Sequence, residues 1–316
     1  MLTNHASPET ITLMLTKSMT LPAFSLLKQG NTTLLVKDQY RELLFNMVFH
    51  PETFEDKRKT SGTVKYGRGA YRTIPLSGNS RERLIIRNYR HGGLFGKLLG
   101  GIFYNENRPV NEVAINEIAL QKDVLSAEVV AVIKRRLWGL FYTADFISRE
   151  IPDAVDLIQL ITESSGTFIQ KFKRPVIRAI AGLLRNMHDA GIFHADLHLK
   201  NILVKHDSTG EFHAYIIDLD KSVVTEKLNI DKRMKNLLRL DRSVEKLRWL
   251  SGRTNTSLHQ KMGFISRTDK IRFFRSYLLW GNALDKDWKK YLRQSHSRHA
   301  IHKLWWRIPR FFKIFS

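Results

Sequence analysis

The chain has 316 residues, 43% of them hydrophobic, no cysteine, and 52 Lys and Arg against 30 Asp and Glu, a formal charge of +22. That length and apolar share suffice for one large or two modest globular domains and exclude wholesale disorder. The lack of cysteine excludes disulfide staples, thiolate zinc sites, iron–sulfur clusters and cysteine nucleophiles, while leaving the redox compartment open.

Residues 1–58 form an N-terminal extension to which the pattern assigns no element. Met1 to Leu27 breaks its apolar residues with His5, Glu9 and Lys17, which does not fit a secretory signal. No stretch reaches the roughly 18 to 20 uncharged apolar residues that span a bilayer. The chain is therefore expected in the cytosol, or on a surface facing it.

Further on, Thr63 to Ile74 reads as two strand halves around Gly67 and Gly69, and Arg83 to Tyr89 as another strand. Arg108 to Leu125 predicts a helix with Pro109 in its first turn. Glu128 to Ile133 and Leu140 to Ile147 are β-rich runs on either side of the polar Lys134-Arg135-Arg136, which predicts a hairpin. The period changes after Pro152. Val155, Leu157, Ile158 and Ile161 predict one helix, and Val176, Ile177, Ile180, Leu183, Leu184 and Met187 a second that ends before Gly191. Short strands follow at Ile202 to Val204 and Ala214 to Ile217, and the polar residues 251–257 predict a loop before a C-terminal helical annex. The expected class is α+β: a small antiparallel sheet lobe over about 59–147, a mainly helical lobe over about 152–250, and the annex over 251–316.

One constellation carries chemistry. His194, Asp196 and Asn201 stand in the spacing H-x-D-x-x-x-x-N before a strand, and Tyr215-Ile-Ile-Asp-Leu-Asp220 follows one hairpin later. This is the kinase catalytic-loop arrangement, and the predicted architecture is accordingly a protein-kinase-like two-lobed fold. Phosphoryl transfer needs a carboxylate that accepts the proton of the attacking hydroxyl, here Asp196, and oxygen ligands for magnesium, here Asn201 and Asp218. His194 is assigned to fixing the loop. Each residue alone reads equally well as a turn former, and the ordered set is what singles them out.

The nucleotide side is less regular. Gly67, Arg68, Gly69 and Ala70 suit a loop whose amides donate to phosphate, or an ordinary β-turn. In Leu84-Ile-Ile-Arg87 an arginine stands where a protein kinase places its phosphate-pairing lysine, and Glu112 is either its partner or a solubilising residue on a helix face.

On these residues, together with Arg87-Asn-Tyr-Arg-His-Gly-Gly-Leu-Phe-Gly-Lys-Leu98, Arg108-Pro-Val-Asn-Glu112, Leu140 to Ile147 and Asn236 to Lys246, the chain resembles the lipopolysaccharide core kinases, above all the 3-deoxy-D-manno-octulosonic acid (Kdo) kinases. The resemblance runs from about Tyr66 to Leu250. It implies ATP and magnesium as cofactors and phosphorylation of the 4-hydroxyl of Kdo on lipid A at the cytoplasmic face of the inner membrane. It also implies Asp196 as base, Asn201 and Asp218 as metal ligands, Arg87 and Glu112 as the phosphate-positioning pair, Gly67 to Ala70 as the phosphate loop, and an adenine hinge near Phe146 to Ile151. The extension and the annex depart from the short members, and a heptose kinase of the same superfamily is the alternative.

The surplus of positive charge fits a polyanionic glycolipid. Arg90, His91 and Lys97 on one side, and Lys221, Arg239, Arg242 and Lys246 on the other, are the candidate acceptor contacts, each also readable as solvated surface. Residues 299–315 interleave bases with Trp305, Trp306, Phe311, Phe312 and Phe315, which suits an anionic membrane surface, or a helix docked on the protein. Nucleic acid is the competing anionic partner, but no nucleic-acid-binding motif is present, so none is expected. A catalytically dead scaffold would not need all three site residues. Oligomeric state is not readable.

Overall fold

The computed structural model describes residues 21, 23–52, 71–76, 82–88, 101–104, 108–254 and 265–280. The chain divides into two units, residues 1–154 with 216–223, and residues 155–215 with 224–316.

The first unit is built on a six-stranded antiparallel sheet of β1 (Phe24–Gln29), β2 (Thr32–Lys37), β3 (Tyr71–Pro75), β4 (Arg83–Asn88), β5 (Val129–Arg136) and β6 (Tyr142–Arg149), in the order β1-β2-β5-β6-β4-β3. Side chains alternate between its faces. One face, with Leu34, Val36, Leu84, Ile86, Val130, Ile133 and Ile147, closes on Leu44 of helix α1 (Arg41–Phe49). The other, with Val129, Val132, Tyr142, Ala144 and Phe146, closes on Phe103 and on Val113 of α2 (Arg108–Gln121).

Two expectations are corrected here. Within the N-terminal extension, residues 24–37 belong to the sheet, because β1 and β2 turn about Gly30-Asn31, with Gly30 at φ +54°, and β2 pairs with β5. That turn is a two-residue hairpin signal between alternating strands. The β5–β6 hairpin forms, but its turn lies at residues 137–141 rather than at Lys134-Arg135-Arg136, which remain in the ladder opposite Ala144, Thr143 and Tyr142. The Arg135 guanidinium sits 2.6 Å from the buried Asp145 carboxylate, which lets a charged run continue as a strand.

In the second unit, β7 (Val155–Asp156) opens the chain, so the predicted helix starts two residues late. The Asp156 carboxylate accepts from the amides of Ile158 (2.8 Å) and Gln159 (2.9 Å), capping α3 (Leu157–Glu163) and leaving Val155 outside it. Helix α4 (Gly166–Asp189) is capped by Ser165 and ends before Gly191 at φ +81°. A Cβ at Gly191 would collide with the Thr225 carbonyl oxygen, so only glycine fits this stop. After β8 (Ile192–Phe193) come β9 (Ile202–His206) and β10 (Phe212–Ile216), which form a three-stranded sheet in the order β10-β9-β7.

Helix α5 spans Ile230–Thr254, so residues 251–254 are helical where a loop is expected. The weak preference of single Ser and Gly residues yields there to propagation of an established helix. Helix α6 (Arg267–Leu278) starts in a capping box of Ser266 and Asp269 and lies against α4, where Lys173 reaches Asp269 at 3.2 Å. A boundary at residue 250 therefore does not hold either, since α6 shares a core with the helical lobe.

Candidate active site

In the second unit the loop from His194 to Asn201 hangs between β8 and β9. His194 and Asn201 are fully buried, whereas the Asp196 side chain is 69% exposed. The loop is braced from within. The Asp196 amide donates to His194 Nδ1 at 3.1 Å, and Asn201 Nδ2 donates to the Asp196 carbonyl at 2.9 Å. His198 Nε2 lies 3.4 Å from Asp196 Oδ2. An exposed carboxylate on a backbone fixed by hydrogen bonds is available to an incoming hydroxyl without reorganisation.

Helix α5 holds the loop from beneath. Asn236 is fully buried, its Oδ1 accepts from the His194 amide at 3.1 Å, and its Nδ2 donates to the His194 carbonyl at 2.8 Å. One turn pair later, Ser243 Oγ accepts from the Leu199 amide at 3.2 Å. The same Asn236 oxygen faces Nε2 of the buried His188 at 3.3 Å, and His188 Nδ1 faces the Tyr277 hydroxyl of α6 at 2.8 Å. Burial, followed by the positive charge of Arg233, pushes the His188 pKa down to about 3, so the ring is neutral at ordinary pH. The amide of Asn236 is oriented by the His194 backbone, so the proton of His188 sits on Nε2 and Tyr277 donates to Nδ1. A chain of buried polar groups thus runs from α6 to the His194–Asn201 loop.

In the first unit Arg87 Nη2 of β4 meets Glu112 Oε1 of α2 at 3.0 Å, and its guanidinium lies 5.1 Å from the centroid of the Phe146 ring. Glu112 is buried and Arg87 about one-third exposed, the state of a cation anchored on one side and accessible on the other. At the start of α2, Arg108 grips Asp220 with two nitrogens, Nε to Oδ1 at 2.8 Å and Nη2 to Oδ2. Asp220 stands two residues after Asp218, which adopts φ +64°, a conformation that costs a non-glycine residue energy unless its surroundings hold it. The lead-in is held as well, because Ile216 exchanges bonds with the Leu125 carbonyl and the Ser126 hydroxyl, both at 2.9 Å.

Helix α2 is pinned along its length. Asn116 donates to Ser126 and Ala127 and accepts from the Val129 amide. Lys37 of β2 lies 2.9 Å from carboxylate oxygens of both Glu117 and Glu128. Burial draws the Lys37 pKa down, but the hydrogen bonds and charges of Glu128 and Glu117 outweigh it and hold it above the ordinary lysine value.

Of the residues singled out in the sequence, His194, Asp196 and Asn201 therefore share one loop of the second unit, Arg87 and Glu112 form an ion pair in the first, and Asp218 lies in the first unit as well. Lys221 is exposed at φ +58°. Arg239 and Arg242 are half-buried on α5. Gly67, Arg68, Gly69, Ala70, Arg90, His91 and Lys97 lie outside the described residues. The amide oxygen of Asn201 and the carboxylate of Asp218 are hard oxygen donors of the kind magnesium takes together with substrate phosphates. Sequence reasoning missed Lys37, Arg108, His188, Asn236 and Tyr277. A histidine on the apolar face of α4 and an asparagine among the leucines of α5 are the signals that could have marked two of them.

A family model described as the lipopolysaccharide kinase (Kdo/WaaP) family matches residues 58–277. The 3-deoxy-D-manno-octulosonic acid kinase of Vibrio cholerae serotype O1 is 30% identical over 202 residues, 62% of this chain and 78% of that one. That of Photobacterium profundum is 33% identical over 167 residues, 52% of this chain and 65% of that one. In fold, the chain is similar to a solved structure of WaaP in complex with acyl carrier protein, with a TM-score of 0.51, 19% identity, and coverage of 90% of this chain and 99% of that one. The fold is thus kinase-like, of mixed helix and sheet. The chain belongs to the lipopolysaccharide kinase (Kdo/WaaP) family, and is thus a phosphotransferase whose acceptor is a hydroxyl group.

Proposed function

We propose that the chain transfers the γ-phosphoryl group of ATP to the 4-hydroxyl of Kdo in a Kdo-lipid A precursor, acting peripherally at the cytoplasmic face of the inner membrane. The observation that carries this reading is the Asp196 loop, where an exposed carboxylate is fixed through its own backbone by His194 and Asn201. The names of the similar curated proteins support the choice of sugar.

In this reading Asp196 orients the sugar hydroxyl and takes up its proton as the new oxygen–phosphorus bond forms and the bond to the departing diphosphate breaks. Arg87, positioned by Glu112, binds the donor's phosphates. Asn201 and Asp218 hold magnesium, which when bound offsets the charge of the phosphate oxygens. Arg239 and Arg242 bind the acceptor's anionic groups. They stand three residues apart on α5, on the side of the helix next to the face that carries Asn236 and Ser243. Burial and the neighbouring Arg239 pull the Arg242 pKa below its ordinary value, a state that a bound phosphate or sugar carboxylate relieves.

The test is incubation with ATP and magnesium over a panel of Kdo-lipid A and heptosylated acceptors, with the phosphorylated sugar identified by mass spectrometry. Phosphate on Kdo is expected. Phosphate on heptose alone, or on neither, overturns the acceptor. Asp196→Ala is expected to lower turnover by roughly 10²- to 10⁴-fold, the usual contribution of a general base, with folding and ATP binding retained. Undiminished turnover overturns the role of Asp196.

A further inference from the structure

The β5–β6 hairpin ends in an apolar tip for which the catalytic reading has no use. Leu137, Trp138 and Leu140 are 42%, 62% and 54% exposed, and Tyr104 is 63% exposed. The tip is a built structure. The Leu137 amide donates to the Phe141 carbonyl at 2.9 Å, the Phe141 amide donates to the Trp138 carbonyl at 3.0 Å, and Gly139 sits between them at φ +54°. Phe141 ties the aromatics together, with its ring centroid 4.6 Å from that of Trp138 and 5.9 Å from that of Tyr104. Tyr104 is held there because Phe103 exchanges backbone hydrogen bonds with Tyr142 at 2.8 and 2.9 Å. Scattered single apolar residues on a surface need no explanation, whereas a rigid cluster of two aromatics and two leucines does.

The charge around the cluster selects its occupant. Lys134 and Arg136 lead directly into the tip, Arg135 between them being paired with Asp145, and the neighbouring β1–β2 turn, joined to it through the Arg136 amide and the Asn31 carbonyl at 2.8 Å, adds the exposed Lys28. Residues 28–37, 101–104 and 129–144 contain no aspartate or glutamate. We infer that this tip is a membrane-docking surface: Trp138, Leu140, Leu137 and Tyr104 enter the headgroup boundary of an anionic bilayer while the bases beside them meet lipid phosphates. Trp and Tyr favour that boundary because one end of each ring system is apolar and the other polar, and bases gain there from the negative surface potential. The inference names the surface for the membrane location proposed above and depends on that location, not on which sugar is phosphorylated.

The absence of cysteine makes the test direct, because a single introduced thiol carries a label uniquely. Leu140→Cys, labelled with an environment-sensitive fluorophore, is compared with Ser208→Cys in the exposed β9–β10 turn, each in the full chain, on adding vesicles of phosphatidylglycerol and phosphatidylcholine. A blue shift and quenching by brominated lipid are expected at position 140 and not at position 208. The unlabelled Trp138→Ser/Leu140→Ser double variant is expected to need roughly tenfold more lipid for the same sedimented fraction, from the apolar area it no longer buries. Turnover of a water-soluble, deacylated acceptor is expected to be unchanged in it. A silent label at position 140 while the chain still sediments overturns the surface alone. A chain that does not sediment with anionic vesicles overturns the surface and the membrane location together, leaving the kinase reading to the mass spectrometry.

Discussion

The Asp196 backbone is held by side chains from its own loop, and that loop by side chains from α5. Asp196 is fixed by His194 and Asn201, His194 by Asn236, and Asn236 shares its oxygen with His188, which in turn receives the Tyr277 hydroxyl. His188 gives this relay a pH signature. Its folded pKa of about 3 lies below the 6.5 of a free histidine, so between those values the unfolded chain binds more protons than the folded one. Stability therefore rises with pH through that window: the neutral ring costs nothing above about 6.5, and as pH falls towards 3 the folded state loses by staying unprotonated. Urea unfolding at a series of pH values is expected to give a slope between pH 6 and pH 4 steeper than that of His188→Gln by about one proton per molecule. Equal slopes would mean that His188 is protonated in the fold and the relay is wired differently. Of this site the H-x-D-x-x-x-x-N spacing was legible, because it is local. The partners of His194 and of Asp220, two residues after Asp218, were not, because Asn236 and Arg108 reach them across 42 and 112 residues respectively in the chain.

Among the elements, α2 and α4 work as the struts of their units. Arg108, Glu112, Asn116 and Glu117 tie α2 to the Asp220 turn, β4, the start of β5 and β2 in turn. In α4 the constraint is steric. Gly182 faces the Trp280 ring just beyond α6, and a Cβ there would overlap it. Alanine is the better helix former by about 1 kcal/mol, but overpacking a filled contact costs typically 1–3 kcal/mol. The balance predicts that Gly182→Ala destabilises the protein by up to about 2 kcal/mol, read as a lower denaturation midpoint at unchanged slope. A stabilised variant would mean that the ring yields freely. The periodicities of α4 and of the strands were legible because each buries one regular face. The β1–β2 hairpin was passed over because it is short and both its faces carry apolar residues, Leu34 and Val36 on one core and Leu35, beside the exposed Leu26, against the other, which blurs the period of two. The join between α6 and α4 includes the meeting of a glycine and a tryptophan 98 residues apart, beside the Lys173–Asp269 and His188–Tyr277 contacts, and no local pattern encodes such meetings.

At the scale of the whole chain, a charge of +22 is destabilising by self-repulsion unless it is used against an anion. None of the described helices is long and apolar enough to cross a membrane. Two candidate lipid contacts of the same chemistry stand far apart in sequence: the hairpin tip at residues 137–141, and the aromatic, basic C-terminus, which lies outside the described residues. Two weak contacts on one chain reinforce each other, since the first raises the local concentration for the second. Deleting Lys303 to Ser316 removes four bases and five aromatics and no acid. It is expected to weaken sedimentation with anionic vesicles several-fold at about 0.1 M salt, and less at high salt, where charges more than about 3 Å apart are screened and the apolar contacts remain. Combined with Trp138→Ser/Leu140→Ser, the deletion is expected to abolish sedimentation, as neither change does alone. A bound fraction unaffected by the deletion would assign the tail to the protein's own surface and leave the hairpin tip as the lipid contact.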